Sequence, residues 1–597
     1  MGYVLGFSSG AFGVAGPEER PNLAGLSQKA ESSITKGVNF VQLDLESLSE
    51  FEEPDLERKM KEDIMEKLNV KFGIHSETRA FGVEAAELDS AIKMEYERSH
   101  ERIVRILENS KKIGAKYVLI HSSESEPFRL LERVLQSSDL VDPWGRPFRD
   151  FLQQNQWLLN WVLYGRKEDK KEEMVEILMK IWKEKRLDIT SEDVEKGLRE
   201  KGIRPQKFFW LEFLRGRTLE EYLVDVMVGR AQDIEIARGK EIPEEVKTAI
   251  DSHLQKILPI RIQDLKDIIV SAVQSRELHY GPERWAYYFV ARWMEENKDP
   301  LWEKIVNASI KFFAARDGKN VEEWMKSKNL DPNKLSIEDD NFREKYEIWV
   351  PAVSAKYIYG HFFPIGRYED PKKYLDGMFL ALESPMGGRG IEEWLRLANP
   401  YQYYFLIEEA NKQAGKEIFA VALDFEHMLS LRIDPEKVID LLPENGGKQV
   451  RIIHAGWPST LAPAHIPIEI GSDQQLYLYK MYYKLRQKGF GKDDRDYYII
   501  FERGGPETFH QSIVALRLII ETLEKDIPPE KLIEHPEFFG LDISQILSPE
   551  RQRVVIREHA FDPLKGLIMV PEEEHGFLGR AAVEKGKVEE WRKGRYR

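Results

Sequence analysis

The chain has 597 residues, too many for one compact core, so two or three domains are expected. With 42% apolar and 32% charged residues it is no disordered polymer, and it lacks any run of about 18 uncharged apolar residues that would span a membrane. No cysteine is present, which excludes disulfides, zinc fingers and thiol nucleophiles, and the net charge of −15 argues against a general nucleic-acid surface. The first residues, MGYVLGFSSGAFG, lack a basic leader and read as a strand, so a cytoplasmic location is expected. A cysteine-free composition dense in Lys and Glu also suits a thermophile.

Short apolar runs rich in β-branched and aromatic residues mark strands. YVLGFSSG begins at Tyr3, NFVQLDLE at Asn39, VKFGIHSE at Val70 and YVLIHSSE at Tyr117. They resume with MFLALES at Met378, FAVALDFEH at Phe419, VRIIHAG at Val450 and YYIIFERGG at Tyr497. Each is apolar on both faces, as parallel strands covered by helices are. Helical patterns lie between them. Leu23 to Thr35 stops at Gly37, and a segment capped by Asp89 runs to Ile113 and stops at Gly114. Ile391–Ala414, Leu476–Leu485 and Thr508–Leu523 follow the fifth, seventh and eighth runs. Eight β-α units predict a (β/α)₈ TIM barrel, with an open doubly wound sheet as the alternative.

One connection is far too long for a loop. Between the fourth and fifth runs amphipathic patterns cover Gln153–Leu163, Glu172–Lys185, Leu211–Val228, Trp285–Glu296 and Trp302–Ala315. Of the thirteen tryptophans, all but Trp394, Trp457 and Trp591 fall between Trp144 and Trp349, and such side chains need packed partners. The expected organisation is therefore residues 1–125 as the first half-barrel, 126–372 as a mainly helical insertion domain, 373–525 as the second half-barrel and 526–597 as a C-terminal extension. The insertion leaves from the face where barrels carry their active sites, so a wall or lid is expected, or else a stabilising or oligomerising module. The tail has few periodic apolar positions beyond Val554–Ile556 and Leu567–Val570 and is expected to wrap the barrel.

The strand ends carry the chemistry. The third run ends in His75, the fourth in His121, the fifth in Glu383 and the sixth in Asp424, with His427 three positions on. The seventh ends in His454, His465 lies in the loop after it, and the eighth ends in Glu502. Barrel strand ends meet at one rim, where three such carboxylates repel one another unless a cation sits among them. Mixed nitrogen and oxygen ligands without sulfur suit Zn²⁺, Mn²⁺, Fe²⁺ or Co²⁺ over Mg²⁺. Taken singly, each residue has a plainer role: a strand-end His held by a hydrogen bond, or Glu502 paired with Arg503.

These segments resemble the endonuclease IV family (AP endonuclease family 2) of the xylose-isomerase-like barrels. ALESPMGGRG at Ala381, LDFEHMLSL at Leu423, RIIHAG at Arg451, HIPIEIG at His465 and IFERGGPE at Ile500 are similar to its successive motifs, and GIHSE and LIHSS stand where two of its histidines belong. The resemblance covers about residues 1–125 and 375–525. It implies that His75, His121 and Glu383 hold one metal, that Glu383, Asp424, His454 and Glu502 hold a second, and that His427 and His465 belong to a third. Zinc is the metal it implies first. The family's aspartate two residues before the loop histidine is Pro463 here, so a third metal would need Glu469 or Asp473 as a substitute.

The resemblance implies a metal-dependent hydrolase of a phosphodiester or other phosphate-containing substrate, small-molecule or nucleic-acid. Glu383 and Glu502 are its catalytic residues, a water activated by the cations attacks phosphorus, and Arg389 or Arg503 steadies the phosphate unless each is a rim salt bridge. The alternative is a single-metal sugar isomerase or epimerase of the same superfamily, with Glu383, Asp424, His454 and Glu502 as its ligand set. A barrel without activity, serving as a scaffold for the insertion, is the third reading. The pair His75 and His121 favours the hydrolase, because a one-metal reaction does not need both.

Overall fold

In the computed structural model, eight parallel strands close into a barrel in strict sequence order. They are β1 (Tyr3–Ser8), β2 (Phe40–Asp44), β3 (Lys71–His75), β4 (Tyr117–His121), β5 (Phe379–Glu383), β6 (Phe419–Asp424), β7 (Val450–Ala455) and β8 (Tyr497–Phe501). All eight coincide with the apolar runs, and pairing of β8 with β1 excludes the open sheet. The structure describes residues 2–9, 25–31, 37–76, 85–124, 139–155, 157–158, 282–332, 335–386, 395–456, 467–502 and 509–541.

The interior follows from alternation. Phe40, Tyr117, Leu119, Phe379, Ala381, Ala420, Ala422, Ile452, Tyr498 and Ile500 form one buried cluster. Successive side chains of a strand alternate between its faces, so these positions share the inward face, and the next inward positions toward the C-terminal ends are His121, Glu383, Asp424, His454 and Glu502. Bulky rings fill the lower layers because their neighbours are small. A Cβ on Gly73 would lie 2.3 Å from the Tyr117 ring.

The helices correct several sequence expectations. Helix α1 is described over Leu26–Glu31. Helix α2 is Lys93–Ile113, ending at Gly114 in the left-handed region (φ 91°) as expected. It is not capped by Asp89. That carboxylate is buried and accepts from Ser123 Oγ (2.7 Å) and Ser354 Oγ (3.1 Å), so it ties its own loop to the end of β4 and to the insertion instead. In the insertion the described helices include α3 (Phe148–Gln154), α4 (Pro282–Glu296), α5 (Pro300–Arg316) and α6 (Tyr346–Phe362). Helix α3 begins at Phe148 and shares only Gln153 and Gln154 with the expected Gln153–Leu163 segment, while α4 and α5 match theirs. The expected helices Glu172–Lys185 and Leu211–Val228 lie outside the described residues. Helix α6 was not foreseen: from Ile348 to Phe362 every residue but Tyr359 is buried, so no polar face marks its period.

Beyond β5, α7 (Pro400–Ala414) starts later than expected because Asn399 caps it and Pro400 takes its first position. Then come α8 (Phe425–Ser430), α9 (Pro435–Leu441), α10 (Asp473–Gln487) and α11 (Phe509–Glu524). The contacts divide the chain into two units, residues 1–467 with 481–513, and 468–480 with 514–597. The first contains the whole barrel. In the second, Gln475 Nε2 donates to Phe538 O (2.9 Å) and Tyr479 packs edge-on against Phe538. The Val554–Ile556 and Leu567–Val570 segments lie outside the described residues. Among the described residues no helix is long and apolar enough to cross a membrane.

A buried polar cluster joins the insertion to the loops at the C-terminal rim. Arg396, after β5, donates to Glu283 Oε1 (2.8 Å) and Oε2 (2.7 Å) on α4 and to Asp89 O (3.0 Å) after β3. Tyr287 of α4 also donates to Asp89 O, and Ser122, next to His121, donates to Leu397 O (2.5 Å).

Candidate metal centre

Register brings the rim residues level with one another. His121 pairs with Glu383, Asp424 with His454 and Asp44 with His75 across adjacent strands. His75, His121, Glu383, Asp424, His427, His454 and Glu502 are all buried, none more than 6% exposed. Their ligand atoms fall into three groups that could each hold a cation: His75 with His121 and Glu383; Glu383 with Asp424 and His427; Asp424 with His454 and Glu502.

The tightest point is His454 Nδ1. It lies 2.6 Å from Glu383 Oε1, 3.0 Å from Glu502 Oε2 and 3.4 Å from Asp424 Oδ2. On the other side of Glu383, Oε2 lies 3.3 Å from His75 Nε2 and 3.6 Å from His121 Nε2. His427 Nε2 lies 3.8 Å from Asp424 Oδ2. These contacts are short yet poorly directed: both Glu383 oxygens, His454 Nδ1 and His121 Nε2 are buried without a hydrogen-bond partner. Buried polar atoms in this state are costly unless something else occupies their lone pairs. A divalent cation satisfies several at once, so the residues present fit such an ion.

Each imidazole is held by the ring nitrogen that faces away from Glu383, Asp424 and Glu502. His75 Nδ1 donates to Ser76 O (2.8 Å), and His427 Nδ1 donates to Ser384 O (3.0 Å). His121 Nδ1 pairs with the Glu124 carboxylate. His454 Nε2 donates to Gln42 Oε1 (2.9 Å), which also accepts from Tyr117 OH (3.0 Å), while Gln42 Nε2 donates to Asp44 Oδ1 (3.2 Å). A ring nitrogen occupied as a donor leaves the other with its lone pair toward the centre, the arrangement by which outer partners orient metal-binding histidines. Asp424 divides its oxygens similarly: Oδ1 caps α8 by accepting from His427 N (2.8 Å), and Oδ2 faces the imidazoles.

Within this group the charges pair with one another. Burial disfavours the charged forms, but His454 and then His121 outweigh it and hold Glu383 well below the usual carboxylate range. Burial likewise opposes charge on His454, yet Glu383 and Glu502 raise it well above an ordinary histidine. For His121, burial is outweighed by Glu124 and Glu383, and the ring is pushed up to about 10.

Of the eight residues singled out from sequence, seven converge here. His465, Pro463, Arg389 and Arg503 lie outside the described residues, and neither Glu469 nor Asp473 enters the three groups. Sequence reading missed Gln42 and Glu124. Gln42 has the same parity on β2 as the inward Phe40, which was the available signal, and Glu124 sits three residues after His121 in the HSSE stretch.

No family model matches the sequence, and no curated protein resembles it. Solved structures with related topology include a D-tagatose 3-epimerase-like protein (10% identity, TM-score 0.36, covering 88% of this chain and 100% of that one). Two others are an L-ribulose 3-epimerase (9%, 0.34, 88% and 96%) and the apo form of 3-keto-D-glucoside 4-epimerase from E. coli (8%, 0.31, 86% and 99%). Likeness at this level carries no argument about function; the barrel rests on its own strand order.

Proposed function

We propose that the chain is a divalent-metal-dependent isomerase or epimerase acting on a polyhydroxy carbonyl compound of the sugar class, which reverses the order of the two expectations drawn from sequence. The observation that carries this reading is the placement of two glutamates around one histidine. Glu383, at the end of β5, and Glu502, just after β8, both reach His454 Nδ1, at 2.6 and 3.0 Å, yet enter separate ligand groups. Two carboxylates that close on one imidazole from different strands suit removal of a proton beside a carbonyl by one and its return by the other. The cation, when bound, supplies Lewis-acid polarisation of the substrate oxygens. Asp424 and His454 complete its ligand set, and His427, fixed by Ser384, is placed to bind a substrate hydroxyl. Burial of every member excludes bulk water, which strengthens each interaction within the site.

A second reading has its own observation. His75 and His121 converge on Glu383 Oε2, the oxygen that does not meet His454, and a second cation there favours hydrolysis of a phosphate ester. The test is to load the protein with Mn²⁺ or Zn²⁺ and incubate it in deuterium oxide with a panel of ketoses and aldoses. Isomerisation predicts deuterium at the carbon beside the carbonyl, reduced by roughly 10²–10⁴-fold in Glu383→Gln and Glu502→Gln. No exchange with any sugar, together with turnover of bis(p-nitrophenyl) phosphate, would replace this reading by the second.

A further inference from the structure

Helix α2 of the barrel and the end of α6 in the insertion meet through two imidazoles that take no part in the metal centre. His100 and His361 are both buried, and their Nδ1 atoms lie 3.2 Å apart with the rings stacked at 5.4 Å. We propose that this pair is a proton-operated joint, which holds the insertion against the barrel while both rings are neutral and releases it when they are protonated.

The hydrogen bonds fix the tautomers. His100 Nε2 faces the Glu369 carbonyl at 2.8 Å, so it carries a hydrogen and donates. In a neutral ring that leaves His100 Nδ1 as an acceptor, and His361 Nδ1 donates to it. The gap between the rings thus holds one hydrogen. A further proton on His100 enters the gap and sets two N–H groups against each other. A proton on His361 goes to Nε2, inside the packing, with the Leu88 carbonyl beside the ring.

The surroundings are built for neutral rings. Tyr96 stacks on His361 at 4.0 Å and Tyr368 meets His100 edge-on at 5.2 Å; their hydroxyls donate to Pro143 O (3.1 Å) and Gly145 O (2.9 Å). There is no slack: a Cβ on Gly145 would lie 2.4 Å from the Tyr96 ring, and one on Gly360 would lie 1.6 Å from Pro143 O. Among the described residues the nearby carboxylates are engaged or sit in solvent. Glu97 pairs with Arg367, Glu369 with Lys373, Asp370 with Lys372 and buried Asp142 with Arg146, while Glu101 is exposed. A charged ring is therefore solvated only if the elements part. Burial, with His100 adding to it, accordingly holds His361 well below an ordinary histidine against the Leu88 carbonyl. On His100, burial outweighs the opposing pull of Glu369, Glu101 and Asp370. The closed joint binds fewer protons than the open one, so opening gains as pH falls through about 6.5, whatever reaction the metal centre performs.

Hydrogen exchange of the full-length protein, followed by mass spectrometry and corrected for intrinsic exchange, reads the opening constant segment by segment. Between pH 7.5 and 5.5 the proposal predicts a rise at the end of α6, residues 354–362, of roughly ten-fold for each imidazole that takes a proton on opening, so up to about a hundred-fold. Helix α7, which has no histidine, should not follow it. His361→Asn, whose amide keeps a donor near the Nδ1 position, should flatten the rise by roughly ten-fold whatever its own baseline protection. His100→Gln, whose amide still reaches toward Glu369 O, should do the same and serves if the first variant does not fold. If neither folds, the parent decides by its own slope. A flat response at the end of α6, an equal rise over α7, or parental pH dependence in the variants overturns the proposal.

Discussion

Replacement of Gln42 by leucine tests how the centre is organised without touching any proposed ligand. Gln42 Oε1 is the common acceptor for His454 Nε2–H (2.9 Å) and Tyr117 OH (3.0 Å), and all three side chains are fully buried. Leucine is close in shape but accepts nothing, so two buried donors lose their partner at about 1–3 kcal/mol each before relaxation. His454 is then free to rotate or to place its proton on Nδ1, the nitrogen that faces Glu383, Asp424 and Glu502. Loss of such an outer partner typically lowers metal affinity roughly 10–100-fold, about 1.4–2.7 kcal/mol. Competition of the purified protein against a chromophoric zinc chelator measures this directly. Gln42→Glu, which keeps an acceptor, should bind more tightly than Gln42→Leu. If the leucine variant holds zinc as well as the parent, His454 is not oriented by this hydrogen bond and the tautomer argument fails.

Cation affinity should rise with pH up to about 10, because His121, beside Glu383, keeps its proton up to about 10 and its positive charge opposes the cation until then. The same shift gives the metal-free fold a contribution that is complete below pH 6.5 and lost as pH rises through about 10; calorimetry in buffers of different ionisation enthalpy should show proton release on zinc binding. Arg396→Met leaves the Glu283 carboxylate buried without its guanidinium and should cost about 3–5 kcal/mol, read as a lower urea midpoint; an unchanged midpoint contradicts the importance of this pair. Gly360→Ala places a Cβ 1.6 Å from Pro143 O, a backbone atom that cannot swing aside, so the variant should lose at least about 1–3 kcal/mol in the same assay.

The strands and their ligands were legible because parallel barrel strands are buried on both faces and stop at the rim, so an apolar run ending in His, Asp or Glu marks both at once. Gln42 was not read as part of the site because a lone glutamine inside an apolar run has no charge to announce it. Its role depends on Tyr117 and His454, 75 and 412 residues away. Asp89 looked like a cap because an acidic residue precedes a helical period. In the fold its carboxylate answers Ser123 and Ser354, a tertiary demand that local pattern does not carry. Helix α6 escaped for the opposite reason: packed by α4, α5 and α7, it has no polar face. The choice between one cation and two was drawn from His75 and His121 alone, whereas the separation of the two glutamates around His454 became visible only in three dimensions.

The most direct measurement is the metal content of the purified protein and of Asp424→Asn and His454→Ala, by plasma mass spectrometry after exhaustive dialysis. The account predicts one tightly held divalent ion per chain, lost in both variants while the fold is retained. A parent protein that holds no divalent ion even after loading, or variants that keep the ion undiminished, would contradict the claim that these strand ends exist to share a cation.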